Sequence, residues 1–339
     1  RQQDASDMFF TKSITRIDES LENTLPHVFH NTAEFLEEEV DKEMPKSLDV
    51  ITHEAMRKLL TEDNLVIEER PPFNKEEEAA YNFIKDNFSY TEDGRPVTAI
   101  PWNEKRNLLG NNFPLALGRL NPSIQRLEKN EVRQEFQEKI EDGLNKDYFE
   151  EISDNAPHQG KKNYIPTNAV IRPDRVTNRV RIVNNASAQW KGMSLNDVIR
   201  AGPNLQEDPI KIMLRFMKEK IAISIDVSEM FPQVTVQEED RDMLRFLFKF
   251  PEDQQYRILR HKRLPFGLNC SPFIAQYTVL RGAEKMKMEC SLGYQLLKDN
   301  RYVDDIMASL KKVMEAINGL HQVQKIFSSG VSLEEVKFT

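Results

Sequence analysis

Residues Ile221-Ala-Ile-Ser-Ile-Asp226-Val-Ser-Glu-Met-Phe231 decide the fold. The stretch Ile221 to Ile225 is short and apolar, which reads as a buried strand. It runs into a carboxylate at Asp226, with an aromatic ring five residues later at Phe231. Two further stretches carry related signals. Leu264-Pro-Phe266-Gly267-Leu-Asn-Cys-Ser-Pro-Phe273 is a glycine turn entering a helix, with Ser271 expected at the N-cap and Pro272 at the first helical position. Tyr302-Val-Asp304-Asp305 falls in the turn of a strand–turn–strand pattern spanning Arg301 to Leu310.

Each stretch alone is commonplace, because paired aspartates and Pro-Phe-Gly turns occur widely. Their order is not. A carboxylate at a strand end, facing a carboxylate pair in a β-turn, supplies oxygen ligands for two divalent cations about 4 Å apart, as phosphoryl-transferring polymerases require. Mg²⁺ takes oxygen ligands and keeps several waters, so a few carboxylates suffice. Neighbouring side chains on regular strand backbone point to opposite faces, so a turn is what lets Asp304 and Asp305 sit together.

Outward from this centre the chain alternates helices and strands. Ala169 to Arg172 and Arg179 to Val183 read as a β-hairpin around Pro173-Asp174. Helices are expected over Asp208–Glu219, Glu238–Phe248 and Val313–Phe327, and a strand over Tyr256–Arg260. Upstream, Asn74 with Glu77 makes a capping box, Asp93-Gly94 a turn and Val97–Trp102 a strand. Val132, Phe136, Ile140 and Leu144 step along one face of a helix over 130–145. Two more helices are expected over Thr32–Met44 and His53–Leu60, in an acidic lead-in. His27 and His30 stand in it without a third ligand in view.

The 339 residues carry a net charge of -8, unevenly placed. Residues 1–70 hold 8 Lys+Arg against 17 Asp+Glu, and residues 71–155 hold 11 against 17. Residues 156–263 reverse this, with 19 against 13. That basic middle is expected to line a groove for a phosphate backbone whatever the overall charge. His261, beside Lys262 and Arg263, is expected to be an exposed residue of it. Cys270 and Cys290 are the only cysteines and read as free buried thiols. No run of about 18 apolar residues marks a membrane span. The chain begins at Arg1 and reads as a piece of a longer polypeptide.

The three central stretches resemble motifs A, B and C of reverse transcriptases. Arg181-Ile-Val-Asn-Asn-Ala-Ser187, Lys191-Gly-Met-Ser-Leu-Asn196 and Ala201-Gly-Pro-Asn-Leu205 resemble the BEL/Pao lineage of LTR retrotransposons. So do Phe246-Leu-Phe248 after Asp240-Arg241, Gly94 to Trp102, and Arg119-Leu120. The likeness covers residues 55–339 and departs at Asn185, where the family has Asp.

The resemblance implies an α+β fold, a right-hand polymerase palm of antiparallel sheet backed by helices, with fingers and without a thumb. It divides the chain into an acidic helical lead-in (1–55), a helical region leading into the fingers (56–155), and fingers with palm (156–339). Asp226, Asp304 and Asp305 would be the catalytic ligands of two Mg²⁺ ions, or Mn²⁺ in their place, joined by the Val227 carbonyl. Phe231 would exclude the 2′-hydroxyl. Phe266 and Gly267 would floor the nucleotide pocket, Arg179 or Arg181 would clamp the triphosphate, and Lys337 would protonate the leaving pyrophosphate. Partners would be an RNA or DNA template with primer, deoxynucleoside triphosphates, and the thumb, RNase H and integrase regions of the same polyprotein. The setting would be the cytoplasm, in virus-like particles, with a nuclear stage. The alternative is a catalytically silent or domesticated remnant that binds nucleic acid or scaffolds. Phe231 argues against an RNA polymerase, which must admit the 2′-hydroxyl.

Overall fold

In a computed structural model, residues 72–153, 161–172, 179–328 and 336–338 are described. The expected helices over 32–44 and 53–60, the His27/His30 pair and the tip of the hairpin at 173–178 lie outside these residues. The fold is α+β, with small sheets covered by helices.

One four-stranded sheet is built around strand β6, Ile221–Val227. Its hydrogen-bonded order is β10 (Arg301–Tyr302), β11 (Asp305–Leu310), β6 and β12 (Val336–Phe338). All its pairings are antiparallel. The expected buried strand proves to be buried on one face. Ile223, Ile225 and Val227 enter the core, while Ala222 is exposed and Ser224 and Asp226 are half-buried. This is the period-two alternation of a sheet covered on one side. The covered face packs on three helices: Ser271–Lys285, Ser291–Asp299 and Val313–Ile326. Ala275, Val279, Leu296, Leu297, Val323 and Ile326 supply the apolar contact.

The other sheets are smaller. β3 (Phe149–Ile152) pairs with β9 (Arg257–His261), which pairs with β8 (Arg245–Phe248). β4 (Thr167–Ile171) and β5 (Val180–Asn184) form the expected hairpin strands. β1 (Ser89–Tyr90), β2 (Pro96–Thr98) and β7 (Thr235–Val236) complete a third sheet, with β2 and β7 parallel.

Local chemistry explains the element ends. Asn74 and Glu77 exchange the two hydrogen bonds of a capping box at helix Lys75–Asp86. Asp208 caps helix Pro209–Phe216 through the Ile210 N–H. Helix Arg133–Asn145 buries Phe136 and Ile140, with Val132 just before it, as the four-residue stepping requires. Among the described residues, no helix is long and apolar enough to cross a membrane.

Several expectations are corrected. The helix expected over Glu238–Phe248 is one α-turn (Glu238–Arg241) and a short 3-10 turn (Asp242–Leu244), followed by strand β8. All four residues of Arg245-Phe-Leu-Phe248 are buried, which a two-sided strand position satisfies and an amphipathic helix does not. The strand expected over Val97–Trp102 ends at Thr98, and Trp102 only bridges Ile199. Ser271 is not the cap of its helix. Cys270 holds that position, and the buried Ser271 hydroxyl donates to the Pro265 carbonyl at 2.7 Å. His261 is buried at the end of β9 between Phe149 and Phe246, and burial pushes its imidazole down to about 3.

Asp240 ties the front of the chain to this framework. It is 5% exposed and accepts from the Ile100 N–H at 2.8 Å, the Trp102 indole N–H at 2.6 Å and Arg106 at 3.2 Å. Replacing it by Ala strands those donors. Asp240→Ala should destabilise the fold by about 3 kcal/mol, measured as a lower urea midpoint with an unchanged slope.

Candidate active site

β6 and β11 place the first two carboxylates. Asp226 lies directly across from Asp305 in the antiparallel register, so both side chains share one face of the sheet. Asp304 occupies the turn between β10 and β11, and its carbonyl accepts the Val227 N–H at 2.9 Å. Val303, just before it, has φ 55°. That left-handed residue reverses the chain so tightly that Asp304 and Asp305 both remain beside the end of β6. Arg301 holds the turn from beneath. It is 2% exposed and donates to the Val303 carbonyl at 3.2 Å, and burial pulls its guanidinium down to about 10.

Asp304 and Asp305 are exposed and Asp226 is half-buried. The Asp305 carboxyl is nonetheless pushed up to about 6. The largest cause is loss of water around the carboxyl itself, although the residue as a whole reaches solvent. The charges of Asp304 and then Asp226 add to it. Among the described residues, no three His, Cys, Asp or Glu side chains are already drawn together as a metal cage. The donor set still fits a hard divalent cation. It consists of oxygens alone, and Mg²⁺ fills its remaining positions with water.

Beyond the end of β6, Phe231 joins the core cluster of Ile223, Ile225 and Val227 and meets a second aromatic ring. Phe231 is 9% exposed, and its ring centroid lies 4.6 Å from that of Phe266, which is 51% exposed. Gly267 follows with φ 102°, and a Cβ there would lie 2.0 Å from the Asn184 carbonyl oxygen at the end of β5. Only glycine allows that approach. Asn196 donates to the Gly267 carbonyl at 3.1 Å and accepts the Asn269 N–H at 3.0 Å, tying the turn to the segment after β5. The structure thus places Asp226 and Asp305 opposite one another at the paired ends of β6 and β11 with Asp304 in the adjoining turn, and sets the Phe231 ring against Phe266, the residue before Gly267.

This geometry coincides with a sequence match. The family model described as reverse transcriptase (RNA-dependent DNA polymerase) matches residues 161–338. The chain belongs to this reverse transcriptase family. It is therefore an RNA-directed DNA polymerase, a nucleotidyltransferase whose family acts on a nucleic-acid template and primer with deoxynucleoside triphosphates and divalent metal. No curated protein matches the chain.

Arg179 and Arg181, at the start of the second strand of the β4–β5 hairpin, differ in their partners. Arg179 is ion-paired to Glu135 of helix Arg133–Asn145. Arg181 is exposed, and its side chain has no hydrogen-bond or ion-pair partner among the described residues. Lys337 enters β12 with its backbone directly across from Asp226.

The basic middle segment is extensively paired within the chain. Many of its cations are matched by carboxylates, largely from the acidic stretch before it. Arg200 meets Glu76 and Glu104, Arg257 meets Glu151, Arg260 meets Glu150, and Lys262 meets Asp147. The surplus counted along the chain is mostly internal neutralisation. Cys270 and Cys290 are free and buried, as expected.

The raised Asp305 carboxyl carries a stability consequence. Its folded value lies above the unfolded one, so the folded state binds that proton more tightly. Stability from this group is full below about pH 4 and is lost as pH rises through about 6. Asp305→Asn should therefore stabilise the metal-free protein by about 1 kcal/mol at pH 8, a figure reduced for solvent screening. The gain should vanish near pH 4, as thermal melts at the two pH values will show.

Proposed function

We propose that the chain is the fingers and palm of a BEL/Pao-type retrotransposon polymerase, part of a Pol polyprotein, that extends a primer by two-metal phosphoryl transfer. The observation that carries this reading is the register of Asp226 against Asp305, with Asp304 hydrogen-bonded through its carbonyl to Val227. Paired strand backbone carries Asp226 and Asp305, and the turn between β10 and β11 carries Asp304.

Roles follow from position. Asp226, Asp304 and Asp305, with the Val227 carbonyl, would hold Mg²⁺, which when bound would supply acidification of the primer hydroxyl and charge compensation for the triphosphate. Phe231 stands five residues from Asp226 and fills the space a 2′-hydroxyl would need. Phe266 and Gly267 floor the pocket. Arg181 is the triphosphate clamp in preference to Arg179, because Arg179 is already committed to Glu135. Lys337, in register with Asp226, is assigned the proton for pyrophosphate. The hairpin of β4 and β5 belongs to the fingers and the sheet around β6 to the palm. The silent-remnant alternative rests on Asn185. That residue supplies a backbone N–H to the Pro166 carbonyl at 2.9 Å.

Primer extension on an RNA template with Mg²⁺ tests the reading. The wild-type chain should incorporate deoxynucleotides. Phe231→Val should admit ribonucleotides, improving their use about 10- to 100-fold relative to deoxynucleotides, since a steric gate of this kind is worth about 1–3 kcal/mol. Asp304→Asn should abolish both activities. A wild-type chain that uses both sugars equally well would refute the gate.

A further inference from the structure

Motif A contains a residue whose backbone is out of place for its type. Glu229 lies between Asp226 and Phe231 and has φ 51°, a region that side chains with a Cβ seldom occupy. Such conformations persist where the surroundings over-determine them. Here the surroundings come from a segment some 80 residues upstream. Lys146 Nζ donates to both Glu229 carboxylate oxygens, at 3.1 and 3.2 Å. The Tyr148 hydroxyl donates to one of them at 2.7 Å. Lys146 is also 3.0 Å from Asp142, at the end of its own helix.

The segment supplying these donors is itself fixed, and by residues that lead into motif B. Asp147, between Lys146 and Tyr148, also has a left-handed backbone, φ 58°. Its carboxylate is paired with Lys262 and Arg263. The Tyr148 carbonyl accepts the N–H groups of the same two residues, at 2.9 and 3.2 Å. Leu264-Pro265-Phe266-Gly267 follows immediately. Two strained turns are thus buckled to one another, and the buckle joins the loop carrying Asp226 and Phe231 to the loop carrying Phe266 and Gly267.

We propose that Lys146 and Tyr148 are positioning residues of the polymerase, clamping Glu229 so that the motif A loop presents its backbone and Phe231 in the geometry that receives the triphosphate and sugar. The proposal rests on the polymerase reading above. Its second consequence is electrostatic. Glu229 is a carboxylate next to the place where a polyanion must arrive, and Lys146 neutralises it. Removing Lys146 both frees the loop and leaves that charge facing the substrate. Removing Glu229 only frees the loop. The Lys146 and Glu229 side chains are 42% and 44% exposed, so the pair contributes little to global stability. Its role is local.

The test uses the full chain on a primed template, comparing kcat and KM for deoxynucleotides, ribonucleotide discrimination and Tm. Triphosphate affinity is measured separately, on a dideoxy-terminated primer. Lys146→Met should raise the deoxynucleotide KM about tenfold with kcat changed much less, while Lys146→Arg stays near wild type. Glu229→Gly keeps the turn without strain but loses the clamp, and should weaken both affinity and sugar discrimination. Glu229→Gln should cost less than Lys146→Met, and the double variant should be no worse than Glu229→Gln alone, because the unmatched charge is gone. Tm should move by no more than about 2 °C in each.

If Lys146→Met, Tyr148→Phe and Glu229→Gly keep wild-type KM and discrimination in an active enzyme, the clamp is overturned and the polymerase reading stands. Strictly additive losses, or losses that follow a falling Tm, overturn it as well. A wild-type chain that neither extends a primer nor binds triphosphate on one overturns the polymerase reading and the clamp with it.

Discussion

The pairing of β6 with β11 is the constraint on which the rest depends. Six residue pairs run in register from Leu310 against Ile221 to Asp305 against Asp226. The first five fasten the sheet, and the last sets two carboxylates side by side. Mutual repulsion at that end is tolerated because the remainder of the ladder and the apolar underside of β6 hold it. Like charges opposite one another weaken a sheet locally, so the strands must be secured elsewhere. Ile223, Ile225 and Val227 below, and the Val227–Asp304 hydrogen bond at the tip, do this.

A second layer of organisation comes from contacts between segments distant in sequence. The acidic stretch before residue 155 and the basic stretch after it neutralise one another across β3, β9 and their surroundings. Arg260 is bonded to Glu150, Glu238 and Asp242, while the 1%-exposed Arg245 shares Asp242 with it. Buried cations demand such partners, since an unmatched one is costly to bury. The exposed Arg181 is then conspicuous, since no carboxylate among the described residues pairs with it.

Motif order in the sequence marked strand ends and turns more reliably than it marked whole elements. Asp226 near the end of β6, Asp304 in the turn before β11 and the left-handed Gly267 were legible because a carboxylate after an apolar run, an aspartate pair in a hairpin and a Pro-Phe-Gly step mark such positions. The helix Asn74 caps was legible from a local exchange of hydrogen bonds. Helix Phe113–Lys129 escaped notice because Pro122 sits inside it and Gly118 weakens its helical signal. Residues 245–248 were misread as helix because four buried positions in a row carry no period. His261 looked solvent-facing beside Lys262 and Arg263. Only the tertiary position of β9, which turns it between two phenylalanine rings, overrides that neighbourhood. The clamp on Glu229 was invisible because a positive φ and an 83-residue separation leave no trace in composition or spacing.

The alternation of β6 also limits how this part of the molecule can change over time. Ala222 and Ser224 face outward with Asp226, so their side chains can be exchanged for many others of modest size. Removing a single residue between Ile221 and Ile225 would turn Asp226 to the opposite face, among Ala275, Val279 and Leu297. One lost codon there would do what no single substitution at Ala222 could, driving a carboxylate into hydrocarbon and an aliphatic side chain into its place beside Asp305. The letters of this strand are open to drift, but their number is not.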